Sequence, residues 1–81
     1  MILYDFLDMK EAGLDLTEPK TLDIRLVSDK THKSVGSFKV TFNADGKRTY
    51  DTEDRLELAR NLCVPVMGWD EENPLTVYLE W

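Results

Sequence analysis

Three segments of the chain alternate apolar and polar residues with a period of two. Their apolar members are Leu22, Ile24 and Leu26, then Phe38, Val40 and Phe42, and finally Leu75, Val77 and Leu79. Successive side chains of a β-strand point to opposite faces of a sheet, so this pattern predicts half-buried strands. We therefore expect strands over Thr21–Ser28, Val35–Phe42 and Leu75–Glu80, and a sheet whose apolar face something else must cover.

The segment between the second and third alternating runs contains a turn signal and a stretch without periodicity. Asn43 to Gly46 predicts a turn, because Asn opens turns and Gly adopts a positive φ without strain. A short strand over Lys47–Tyr50 follows it, which gives an antiparallel meander of three strands. We interpret Val64–Asn73, which contains Pro65, as a loop.

The first residues of the chain fit a helix over Leu3–Ala12. Leu3, Phe6, Leu7 and Lys10 recur at helical spacing, and the Lys10 stem can cover apolar surface. Gly13 is a suitable helix end. The alternation of Ile2, Tyr4 and Phe6 leaves a strand as the rival interpretation.

A second helix is predicted from Asp51 or Thr52, either of which can cap it, to about Leu62. Pro65 would stop it. Its apolar stripe is predicted to be Leu56, Ala59, Leu62 and Cys63. The apolar neighbours of Cys63 indicate a buried, structural thiol.

These elements define a small α+β fold in one domain, residues 1–81, with the order α-β-β-β-α-β. The simplest way to bury the apolar stripes is an antiparallel sheet with both helices packed on one face. Part of this order also occurs in double-stranded-RNA-binding domains and in the β-grasp, but no motif supports either. The RNA-binding fold needs bases at the start of its second helix, where this chain has Asp51, Glu53 and Asp54. We infer no family from the sequence.

Charge is distributed in three blocks along the 81 residues, whose net charge is −6. Residues 1–23 and 51–81 are acidic, whereas residues 24–50 carry six basic and two acidic residues. A protein with this overall charge is repelled by nucleic acids and anionic membranes at long range. The charge blocks are the feature of this sequence that most favours a particular kind of partner.

Catalytic and metal-binding patterns are not found in the sequence. His32 is the only histidine, it lies in a polar loop, and neither His nor Cys recurs at zinc-ligand spacing. We therefore expect no enzymatic activity, no metal and no cofactor. The start of the chain lacks a secretory pattern, no apolar run is long enough to span a membrane, and one cysteine excludes an internal disulfide. These features favour a cytoplasmic protein without membrane contact.

The leading functional hypothesis is a non-catalytic, acidic protein-binding module, an inhibitor or regulator that engages a basic protein surface. Such a nucleic-acid mimic would use the strategy of phage or plasmid anti-restriction and anti-CRISPR proteins, which are similar in physical principle and not in sequence. The candidate partner-binding residues combine two acidic clusters with an aromatic anchor: Asp51, Glu53, Asp54, Glu57, Trp69, Asp70, Glu71 and Glu72.

Two alternative functions remain open at this stage. The first is direct nucleic-acid binding through a basic hairpin, whose residues would be Lys30, Lys33, Lys39, Lys47 and Arg48. The second is a structural or assembly subunit that pairs through an exposed strand. The sequence is compatible with a monomer or a homodimer.

Overall fold

A computed structural model describes all 81 residues as two helices and five strands. The elements in chain order are α1 (Leu3–Ala12), β1 (Lys20–Ser28), β2 (Ser34–Phe42), β3 (Arg48–Thr49), α2 (Thr52–Asn61), β4 (Val66–Asp70) and β5 (Leu75–Leu79). The α+β class and the predicted order are confirmed, with one additional strand, β4. The structure holds no helix long and apolar enough to cross a membrane.

The five strands form one mixed sheet in the order β3-β2-β1-β5-β4. Antiparallel pairing of β1 with β2 and of β2 with β3 gives the predicted meander. The central pair of β1 and β5 is parallel, so the sheet is not antiparallel throughout as expected. Parallel pairing requires a long crossover connection, and the segment containing α2 and β4 provides it. The elements β1, β2, α2 and β5 together have the β-β-α-β connectivity of a β-grasp. This arrangement by itself indicates no function.

The segment predicted as a loop, Val64–Asn73, contains the edge strand β4. This strand pairs with β5 alone, and its register shifts between Val66 and Gly68. The shift interrupts the alternation of side chains, which is why the sequence shows no period of two there.

Both helices cover the same face of the sheet, as predicted. Their buried leucines and Phe6 join the apolar rows of β1, β2 and β5 in one cluster. Its members are Leu3, Phe6, Leu7, Ile24, Leu26, Phe38, Val40, Phe42, Leu58, Leu75, Val77 and Leu79. The buried residues of α1 are Leu3, Phe6 and Leu7, which follow helical spacing. This burial explains why α1 is a helix and why the rival strand interpretation of residues 2–6 is wrong.

The start of α1 is stabilised by the segment that follows α2. The backbone amides of Leu3 and Tyr4 donate to the carbonyls of Val64 and Leu62, each over 3.1 Å. No side chain caps this helix, so a tertiary contact satisfies donors that a capping residue usually satisfies.

The predicted apolar stripe of α2 is wrong at Leu56, Ala59 and Cys63, whereas Leu62 packs half-buried against the core as expected. Leu58 and Asn61 are the buried residues of the helix, whereas Leu56 is 58% exposed and Ala59 is exposed. The polar residue Asn61 can face inward because both the nitrogen and the oxygen of its side-chain amide form hydrogen bonds. Asn61 donates to the carbonyl of Glu57 over 2.9 Å and accepts from Trp81 over 3.1 Å.

Cys63 is exposed, which corrects its prediction as a buried thiol. The chain has left the helix at this position, and the side chain therefore does not follow the stripe. Its neighbours Leu62 and Val64 are half-buried and pack against the core.

Candidate functional site

The first acidic cluster lies at the start of α2. Asp51 occupies the position before the helix, and Glu53, Asp54 and Glu57 follow on its first two turns. Glu57 forms an ion pair with Arg60 at 3.5 Å, and the other three carboxylates form none. The four side chains therefore concentrate negative charge, and Arg60 is the one basic group that forms an ion pair with them.

The helix α2 runs antiparallel to β2 on the helix-covered face of the sheet, near the outer edge of this strand. Its first residues lie near Lys39, and Glu57 lies against Gly36, where an added Cβ would be 2.9 Å from the carboxylate. An open groove follows this border, and we call it the β2-edge groove. It is lined by Asp23, Ser37, Phe38, Lys39, Asp51, Thr52, Glu53, Asp54, Leu56, Glu57 and Arg60.

The outer edge of β2 lacks a strand partner over most of its length. The two residues of β3 pair only with Thr41 and Phe42, so Ser34–Val40 has no strand on that side. Alternate backbone N–H and C=O groups of an edge strand point outward and can pair with another chain. The β2-edge groove therefore combines free backbone groups with carboxylates.

The second acidic cluster lies at the turn between β4 and β5, next to Trp69. The rings of Trp69 and Phe6 form a T-shaped contact with centroids 5.1 Å apart, and 38% of Trp69 is exposed. Its Nε1 donates to Glu71 over 3.2 Å, and Lys10 also binds Glu71. Trp69 therefore packs partly on α1, and its exposed part faces the acidic turn.

Two of the three acids in this turn are engaged within the chain. The hydrogen bond from Lys10 lowers the pKa of Glu71 below its usual range. The Tyr78 hydroxyl donates to Asp70 over 2.7 Å, and this bond raises the pKa of the phenol. Glu72 forms no ion pair, so this turn has less unpaired negative charge than the start of α2.

The two acidic clusters lie at different strands of the sheet. One lies beside β2 and the other at the end of β4, and β1 and β5 separate these strands in the sheet. Three strand spacings amount to about 14 Å. Trp69 and its neighbours therefore form a cluster separate from the β2-edge groove.

The basic residues of the hairpin are dispersed. Lys30 and Lys33 lie in the loop between β1 and β2, whereas Lys47 lies at the opposite end of β2. A strand of nine residues spans roughly 27 Å, so these loops are far apart. Lys39 lies between them on the exposed face, and Arg48 is bound to Asp8 and Glu11 with 14% of its side chain exposed.

The one histidine and the metal-ligating side chains form no metal site in this structure. His32 is exposed in the loop after β1, with its ring centroid 6.0 Å from that of Tyr78. No group of three or more His, Cys, Asp or Glu side chains is arranged to hold a metal ion.

Two features of the site were missed in the sequence. The first is the uncovered edge of β2. The segment between Gly46 and Asp51 is too short to form more than a very short β3, and this length was the signal in the sequence that most of β2 would lack a partner on that side. The hydrogen bond between Asn61 and Trp81 had no sequence signal, because twenty residues separate the partners. Comparison of the chain with protein-family models, curated proteins and solved structures finds no match.

Proposed function

We propose that this protein is a non-catalytic binding module that engages the basic surface of a partner protein through the start of α2. The observation that carries the proposal is the set of unpaired carboxylates of Asp51, Glu53 and Asp54 beside an open groove. Unpaired acids this close together repel one another, and a basic partner would remove that repulsion.

Helix capping does not account for this cluster. Asp51 has the position and extended backbone of a capping residue, yet no side chain forms a capping hydrogen bond. The helix dipole favours acids in the first turn, but its effect is typically about 0.3–1 kcal/mol per charge at an exposed site. The excess of unpaired acids is what supports a role in binding.

The more specific form of the proposal is an inhibitor or regulator of a nucleic-acid enzyme. A row of carboxylates can occupy a groove that normally binds phosphates, since both present regularly spaced negative charge. Proteins of phages and other mobile elements use this nucleic-acid mimicry, and the cytoplasm is where this protein would meet such an enzyme.

Self-assembly through an exposed strand is a second candidate, and one observation favours it. Residues 67–70 of β4 have no partner on their outer side, and Met67 beside this edge is 54% exposed. Light scattering at increasing protein concentration tests this function. A dimer or larger species is expected, and a monomer at every concentration would contradict it.

The binding proposal is tested with two variants that each remove three negative charges. The groove variant combines Asp51→Asn, Glu53→Gln and Asp54→Asn. The control variant combines Glu18→Gln, Asp29→Asn and Glu80→Gln, three exposed acids that form no ion pair. Because both change the net charge equally, a difference between them reports the position of the charges.

The measurement is a pull-down from lysate with and without nuclease treatment, read by mass spectrometry. We expect wild type and the control variant to retain a partner with a basic surface that is released at high salt, and the groove variant to lose it. Equal recovery by all three proteins would overturn the proposal. Recovery that depends on nucleic acid would instead support the basic residues of the hairpin.

A further inference from the structure

The outer edge of β2 has the properties of a site for strand addition. From Ser34 to Val40 no neighbouring strand lies on this side, and the backbone hydrogen bonds outside regular pairing involve none of these seven residues. An extended peptide can add to such an edge, with main-chain hydrogen bonds for affinity and side-chain contacts for specificity.

The charges beside the edge indicate the chemistry of the occupant. Five acidic and two basic residues line the β2-edge groove. Glu53 and Glu57 are one turn apart on α2, a rise of about 6 Å, and alternate residues of a strand repeat every 6.6 Å or so. Basic side chains at alternate positions of an added strand would therefore match these two carboxylates.

We propose that an extended basic segment of a partner protein adds as a strand to the outer edge of β2, with alternate Lys or Arg side chains directed to α2. This inference rests on the proposed function and specifies how the partner is held. Backbone pairing fixes the register, and the carboxylates select a basic sequence over a neutral or acidic one.

A second copy of this chain is the wrong occupant for this edge. Pairing of β2 with its own copy would place two copies of the acidic β2-edge groove side by side, and like charges repel. The edge of β4 is also less suitable for a basic strand. Met1 covers part of it, accepting a 2.7 Å hydrogen bond from the amide of Val66, and Lys10 already neutralises Glu71.

The test uses the peptide Arg-Thr-Lys-Val-Lys-Thr-Arg and two analogues, N-methylated on the backbone at odd or at even positions. All three carry the same charge, but in each analogue the amides on one edge of the strand cannot donate. Titration calorimetry at low salt gives the affinities, and NMR shifts of the amides of residues 34–40 and 67–70 locate the peptide.

Strand addition predicts that one analogue binds as well as the parent peptide and the other at least tenfold more weakly. Only one set of amides faces β2, which is the reason for the difference. Shifts should occur at residues 34–40, and the groove variant should weaken binding about tenfold while the control variant does not.

Each other outcome is decisive for one of the two proposals. If both analogues bind like the parent peptide and the groove variant weakens all three, strand addition is overturned and the proposed function stands. If the peptide does not bind while the groove variant loses its lysate partner, strand addition again fails alone. If methylation matters but the groove variant binds as tightly as wild type, the basic character of the partner is overturned.

Discussion

Arg48 donates from its Nε to Oε1 of Glu11 across 3.0 Å, and this hydrogen bond ties β3 to α1. The same guanidinium also binds Asp8, and it lies 5.4 Å from the centre of the Phe42 ring. A residue counted as part of a basic hairpin is therefore occupied by two carboxylates of the first helix. Basic and acidic blocks of the sequence neutralise each other here, whereas Asp51, Glu53 and Asp54 at the start of α2 form no ion pair.

Replacement of Arg48 by Met should lower the free energy of unfolding by about 1–2 kcal/mol. The change leaves half-buried Glu11 and exposed Asp8 without their partner. Lys47→Met removes the same charge from an exposed neighbour and should stay within about 0.5 kcal/mol of wild type. Urea unfolding measures both, and equal midpoints for the two variants would show that the contacts of Arg48 contribute nothing.

Trp81→Phe should destabilise the protein by about 1 kcal/mol, because it leaves the buried Oδ1 of Asn61 without its donor. The matched change Trp69→Phe keeps an aromatic ring against Phe6 and loses only a bond to exposed Glu71. Its cost should be below about 0.5 kcal/mol. Thermal unfolding followed by circular dichroism compares the two, and a larger loss for Trp69→Phe would contradict this account.

The ion pair between Lys10 and Glu71 should make stability depend on pH in the acid range. The folded-state pKa of Glu71 is lowered, chiefly by the hydrogen bond from Lys10, relative to its usual value of 4.5. The pair therefore contributes fully above 4.5, and its contribution is lost as the pH falls through the lowered value. Glu71→Gln should be less stable than wild type near neutrality, and the difference should shrink in acid.

The pKa of Glu71 can also be measured directly by NMR titration of its carboxyl carbon. In the Lys10→Met variant the titration midpoint should move upward, toward the usual value of a glutamate. An unchanged midpoint would mean that Lys10 is not the cause of the lowered pKa.

Leu58→Ala should cost about 2–4 kcal/mol, as expected for truncation of a core leucine. Leu56→Ala should change stability by less than about 0.5 kcal/mol, because Leu56 is 58% exposed while Leu58 is 7% exposed. Denaturant unfolding of the two variants tests the phase of α2. A larger loss for Leu56→Ala would restore the stripe predicted from the sequence.

The sequence alone determined the elements whose apolar residues follow one regular period. The strands β1, β2 and β5 lie within one residue of their predicted bounds, and α1 spans Leu3–Ala12 as predicted. In these segments the residues that must leave water repeat every two or every three to four positions, and local geometry converts that pattern directly into a strand or a helix. The same reasoning placed both helices on one face of the sheet.

Only the tertiary structure decided the features that depend on partners distant in the chain. The inward position of Asn61 depends on Trp81, and the strand character of β4 depends on the shifted pairing with β5. Tertiary contacts likewise decided which acids form ion pairs and which do not. Lys10 forms an ion pair with Glu71, and Arg48 forms one with Glu11. Periodicity reports which side chains leave water, but hydrogen bonds between distant segments are set by how the chain connections bring those segments together.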